Sequence, residues 1–211
     1  MFSLFSKSKS IEGEIGYYNL QDWWLTTFTQ EERNHIEDVF HPLGGDPKTK
    51  PLTEGKISSS SQKAAGLLSA LAGWFNKPDD RYLAKKIIQK AYEEATKGND
   101  ILDLHFTLQT MMEIYYRDRD TEPDALSKAI QACEEQISIA PQAVAEFKKQ
   151  DFFDGLPSHA GYDQLRIIYK KQGEYLKAIA LCEQARKQGW NGDWDKKIEE
   201  LKKLEARHNK I

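Results

Sequence analysis

Between residues 159 and 190 the apolar positions form two runs at helical spacing with one glycine between them. Tyr162, Leu165, Ile168 and Tyr169 recur at steps of three and four, which places them on one face of a 3.6-residue helix. Gly173 ends that run. A second follows through Tyr175, Ala178, Ile179, Cys182 and Ala185, and Gly189, free to take positive φ without a Cβ clash, closes it. A connection of about three residues makes the two helices antiparallel neighbours.

The same alternation runs along most of the chain. Thr29 followed by Glu32 has the form of a capping box, so a helix is predicted over QEERNHIEDVF with Ile36, Val39 and Phe40 inward. Leu67, Leu68, Leu71, Trp74 and Phe75 make the next stripe, which Asn76-Lys77-Pro78 ends. Asp79 or Asp80 then caps a helix in which Ala84, Ile88 and Ala91 keep the spacing of Ala178, Cys182 and Ala185, and Gly98 closes it. Asn99 or Asp100 caps a run with Leu104, Leu108, Met111, Met112 and Tyr115 inward. Thr121 or Glu122 before Pro123 marks a further start, leading to small inward residues at Ala129 and Cys133. Ala143, Val144 and Phe147 predict an extra helix beginning at Pro141, and Ser158 is the expected cap of the run that follows. Trp194, Ile198, Leu201 and Leu204 form the last stripe.

The stretch from 159 resembles a tetratricopeptide repeat (TPR), a helix pair of about 34 residues. Tyr162, Leu165 and Tyr169 stand at its large positions, Gly173 and Tyr175 at its turn, and Ala178 and Ala185 at its small sites, while Pro141 falls where the preceding unit has its closing proline. Arg166 and Trp190 depart from the pattern, at a small site and at the closing proline respectively. The likeness covers 100–192 and, loosely, 64–98. It implies an all-α fold: a short, right-handed, TPR-like α-solenoid of antiparallel helix hairpins, preceded by an aromatic-rich N-terminal helical segment and closed by a C-terminal capping helix. Two units are expected, an N-terminal segment with its loop over 1–62 and the repeat domain over 63–211.

The function that the resemblance implies is non-catalytic: an adaptor whose concave face of first helices binds a protein or peptide partner, with Gln109, Glu113, Tyr116, Asp163, Arg166 and Lys170 projecting into it. Some TPR domains grip the terminal carboxylate of chaperone tails with lysines and asparagines. Here the corresponding positions hold Gln109, Thr110 and Glu113 in one unit and Asp163, Gln164 and Ile167 in the next, so that clamp is not expected.

Toward the N-terminus, residues 1–16 read as a frayed lead-in, and Tyr17, Tyr18, Trp23, Trp24 and Phe28 as core aromatics in preference to a binding platform. Residues 41–62, with three prolines, three glycines and a serine run, have loop composition and read as a linker.

Composition narrows the alternatives. Charged residues make up 30% of the chain, yet aromatics reach 11%, which disordered chains do not. A net charge of -3 gives no global attraction to nucleic acid or anionic membranes. Cys133 and Cys182 lack a Cys-x-x-Cys spacing and are expected to be reduced core thiols. The apolar run at the N-terminus is too short for a secretory signal and no stretch is long enough to span a bilayer, so the expected location is the cytoplasm. No phosphate loop, dinucleotide fingerprint or nucleophile elbow is present, and no cofactor is expected. Two Glu-x-x-His pairs, Glu32 with His35 and Glu205 with His208, have di-iron spacing, but such a site also needs two glutamates from facing helices. The second pair falls at an end expected to fray, and 33 acidic residues with five histidines give such pairs by chance, so no metal is expected. His105 reads as a core histidine, and the stripe Arg81, Lys85, Lys86 and Lys90 as a solvated face. Alternatives to the adaptor are a regulatory, immunity-type protein that occludes a macromolecular partner, a helical-bundle enzyme or metal protein, and a nucleic-acid binder.

Overall fold

The computed structural model describes residues 11–42, 48–151 and 153–209. These are all-helical and contain no β-strand, only an isolated bridge between Ser158 and Asn191. In order the helices are α1 (Gly13–Tyr17), α2 (Gln21–Thr27), α3 (Gln30–Val39), α4 (Ala64–Gly73), α5 (Arg81–Gly98), α6 (Ile101–Arg117), α7 (Ala125–Ser138), α8 (Ala140–Phe147), α9 (Ala160–Lys171), α10 (Tyr175–Gln188) and α11 (Trp194–His208). No described helix is long and apolar enough to cross a membrane.

Several ends form where local chemistry dictates. Thr29 Oγ1 accepts from the Glu32 amide at 3.1 Å while Glu32 Oε2 accepts from the Thr29 amide at 2.7 Å, completing the capping box of α3. Asp100 Oδ1 accepts from the Leu102 and Asp103 amides at 2.9 and 3.1 Å and starts α6. Gly173 and Gly189 turn the chain with φ of +77° and +86°.

Other ends differ from expectation. The left-handed residue that terminates α5 is Asn99, at φ +51°, with Gly98 still helical. The α7 helix begins at Ala125: the Asp118 carbonyl first collects the Thr121 and Glu122 amides at 3.0 and 2.9 Å, closing a turn over 118–122, and the Ala125 amide then donates to the Glu122 carbonyl at 3.2 Å across Pro123. The cap of α9 is His159, whose Nδ1 accepts from the Tyr162 amide at 3.3 Å; Ser158 stands one residue too early and pairs with Asn191 instead.

The expected lead-in over 1–16 is corrected from Gly13 onward, residues 1–10 lying outside those described. There α1 forms, and the Gly13, Glu14 and Ile15 amides donate to the Gly55, Pro51 and Leu52 carbonyls at 2.8, 3.0 and 2.9 Å. These are first-turn donors that a helix cannot satisfy internally. The 41–62 segment, described apart from 43–47, therefore supplies the cap of α1 and buries Leu52 completely.

Three apolar clusters hold the helices together. The first unites Ile15, Trp24, Phe28, Ile36 and Leu52 with Leu67, Leu71, Phe75, Ile87 and Ile88, so it runs across residue 62. Trp24 and Phe28 are core, as the aromatic run suggested, whereas Trp74 leaves its stripe and is 42% exposed, edge-on to Phe40. A second cluster gathers Tyr162, Ala178, Cys182, Ala185, Trp190, Trp194, Ile198 and Leu201. Between them lies a smaller third, Leu108, Met112, Ala132, Cys133 and Leu165. Both cysteines are free and fully buried, in different clusters, and burial pushes their thiols up to about 12 for Cys133 and about 11 for Cys182. Packing is sequential: α4 on α5, α5 on α6, α6 on α7, α7 on α9, α9 on α10 and α10 on α11, with α6 also touching α4 and α9. The extra helix α8 packs against α6.

Candidate functional site

Gln109, Glu113 and Tyr116 follow one another along α6 at helical spacing, and Asp163, Arg166 and Lys170 do so along α9. On α6, Gln109 Nε2 donates to Glu113 Oε1 at 3.2 Å, and the glutamate is exposed. On α9, Asp163 Oδ1 accepts from Arg166 Nη2 at 3.2 Å and from Lys197 Nζ of α11 at 2.6 Å. Lys197 in turn lies 4.1 Å above the Trp194 ring. This triad ties α9 to α11, and the Arg166 side chain is only 13% exposed. Lys170 is exposed.

Of the six, Tyr116 is the residue through which the two helices meet. Its Oη accepts from Lys171 Nζ of α9 at 3.3 Å, and the Arg119 guanidinium stacks 4.4 Å from its ring centroid while Nη1 donates to the Tyr116 carbonyl at 2.9 Å. Tyr116, Arg119, Asp120, Leu126, Ile168, Lys171 and Gln172 line an open cavity of about 170 Å³. Arg119 and Lys171 escaped the sequence reading: Lys171 sits in the last turn of α9, where a cation is ordinarily explained by the C-terminal partial charge of the helix, and Arg119 lies in the turn that follows α6. Elsewhere, a cleft of about 220 Å³ lies between α5 and α7, where Tyr92 Oη donates to Glu135 Oε1 at 2.6 Å and Lys128 lies 5.3 Å over Tyr115.

A buried polar node fixes the upper ends of α6 and α9. His105, Gln136 and His159 are at most 1% exposed. Gln136 Nε2 donates to the His105 carbonyl at 2.8 Å and its Oε1 accepts from the Gly161 amide at 2.7 Å. The imidazoles of His105 and His159 lie 5.0 Å apart, and His105 stacks on Trp190 at 5.6 Å. Burial pushes His105 down to about 4; burial and then the neighbouring His105 push His159 down to about 3, so both are neutral near pH 7. His105 is thus a core histidine, and its neighbour His159, the cap of α9 where Ser158 was expected, is buried beside it.

The basic stripe of α5 is largely spoken for. Arg81 and Lys85 both pair with Asp118, Lys85 also with Glu122, Lys86 with Glu32 at 2.9 Å, and Lys90 with Glu93 and Glu94 at 3.2 and 3.0 Å. With side chains only 12% and 15% exposed, Arg81 and Lys85 are not a solvated face. Although burial opposes it, the two cations hold the Asp118 carboxyl below the usual carboxylate range. The two Glu-x-x-His pairs are engaged separately: His35 Nε2 meets Asp80 at 2.9 Å, and His208 lies edge-on to Tyr175. Among the described residues no three His, Cys, Asp or Glu side chains converge as a metal site would require. Comparison of the chain with protein-family models, with curated proteins and with solved structures finds no match.

Proposed function

We propose that the chain is a non-catalytic, TPR-like helical-repeat adaptor of the cytoplasm that binds a protein or peptide segment along the face shared by α6 and α9. In this reading α4, α6 and α9 are the first helices of successive hairpins and α5, α7 and α10 the second, with α11 as the cap. The sequential packing, with α6 touching both α4 and α9, supports that order. The observation that carries the reading is the open cavity at Tyr116, where two first helices of successive hairpins meet around one aromatic ring held by contacts from within the protein. Such a site needs no reacting group, only a surface ordered before the partner arrives.

The test is binding of the full-length protein to an array of randomised peptides, repeated with Tyr116→Ala combined with Lys170→Glu. Binding by the wild type that the folded double variant loses supports the reading. Equal binding by the variant, or none by either protein, overturns it.

A further inference from the structure

We propose that the Tyr116 cavity receives the side-chain carboxylate of a glutamate in an acidic peptide segment; this rests on the reading of the α6–α9 face as a peptide-binding surface. Two cations bracket one ring there, and each is already positioned. Arg119 is fixed by stacking on Tyr116 and by its hydrogen bond to the Tyr116 carbonyl, and Lys171 by the Tyr116 hydroxyl. Little side-chain entropy remains to be lost when an anion arrives. The remaining face of the guanidinium shows its preference: Nη2 meets Asp120 Oδ2 at 3.2 Å, and that aspartate is 78% exposed. The chain's own carboxylate occupies, from the solvent side, a position that a partner carboxylate can take over.

Helix-end electrostatics do not account for this arrangement. Lys171 lies in the last turn of α9, where a cation complements the helix dipole, but Arg119 lies beyond the end of α6. Among the residues that line the cavity these two are the cations, Arg117 in the last turn of α6 donating instead to Asn76 Oδ1. Leu126 and Ile168 line the cavity beside the cations, so a side chain with methylenes below its carboxylate fits better than aspartate. At about 170 Å³ the cavity has room for a single side chain. Nucleic acid also carries anions, but it engages several cations along a track. The cations of α5 that could extend one are paired internally with Asp118, Glu122, Glu32, Glu93 and Glu94.

The experiment is fluorescence anisotropy on the full-length protein with labelled, C-terminally amidated peptides of alternating glutamate and leucine. The comparison ligands are an aspartate version, a glutamine version, a glutamine version with a free C-terminal carboxylate, and a single-stranded oligonucleotide. The glutamate peptide should bind, with the glutamine version weaker by about tenfold or more, as loss of charge-assisted hydrogen bonds implies. Lys171→Glu and Arg119→Ala should each weaken glutamate binding by about tenfold. Asp120→Asn, which removes the resident competitor, should strengthen it by roughly threefold. Arg186→Glu, at a remote ion pair with Asp195, should leave it unchanged. Glutamine peptides or the oligonucleotide binding as tightly as glutamate, or glutamate binding indifferent to residues 119, 120 and 171, would overturn the assignment. A carboxylate-terminated glutamine peptide binding as well as the glutamate one transfers the site to chain termini and overturns it too. If acidic peptides fail while the array still yields neutral or basic sequences lost on changing Tyr116, only this assignment falls; if the array is empty, the peptide-binding reading falls with it.

Discussion

A methyl group at residue 161 would lie 2.7 Å from Gln136 Oε1 and 3.1 Å from the Cys133 carbonyl oxygen. Gly161→Ala is therefore expected to push Gln136 off two buried partners and to cost on the order of 1–3 kcal/mol in urea denaturation. The neighbouring histidines give a pH dependence. Their folded pKa values, about 4 and about 3, lie below the ordinary histidine value of 6.5, so the stability they contribute is fully present above pH 6.5 and is lost as pH falls toward the folded values. In that window two neutral histidines give a slope of up to about 2.7 kcal/mol per pH unit. Replacing His105 with Gln and His159 with Asn, a residue that still caps a helix, should flatten the urea midpoint against pH relative to the wild type; parallel profiles would refute the assignment. The core role of His105 was legible because it stands in an apolar run. That of His159 was not, since cap preferences favour the adjacent serine and only the buried Gln136 and Trp190 reveal which residue sits at the start of α9.

At the level of elements, the readable signals were those completed within a few residues. The Thr29 and Glu32 box is one, and Thr29→Ala should lower the thermal midpoint through a loss of about 1 kcal/mol, which Thr29→Asn should largely restore. Asp100, Gly173 and Gly189 belong to the same class. By contrast α1 and α2, of 5 and 7 residues, are too short to show a helical period, and α1 forms because the chain near residues 51–55 supplies its amide acceptors. The candidate site divides in the same way. Tyr116 was accessible from helical spacing, whereas Lys171 and Arg119 gain their meaning from the approach of α9 to the α6–α7 turn, which no local pattern encodes. Trp74 is the converse case: the stripe favoured burial, but α4 ends at Gly73 and its indole turns outward.

Over the whole molecule, the first apolar cluster crosses the boundary expected at residue 62. A chain beginning at residue 63 would expose the faces of Leu67, Leu68, Leu71, Phe75 and Ile87 that now meet Ile15, Trp24, Phe28 and Leu52. Each such side chain is worth about 1.5–3 kcal/mol of burial, comparable in sum to a domain's net stability, so this fragment should bind a hydrophobic dye and melt without a sharp transition. A sharp melt near that of the full chain would show the repeat region to be self-sufficient. The two large clusters are joined through a small one, and Met111 is the partly buried residue shared by the first and the third. Stretched between its ends in an optical trap, the protein should consequently give way in two force steps, with the break falling across α6, and Met111→Ala should lower the force at which the halves part while leaving the extension released in each step unchanged.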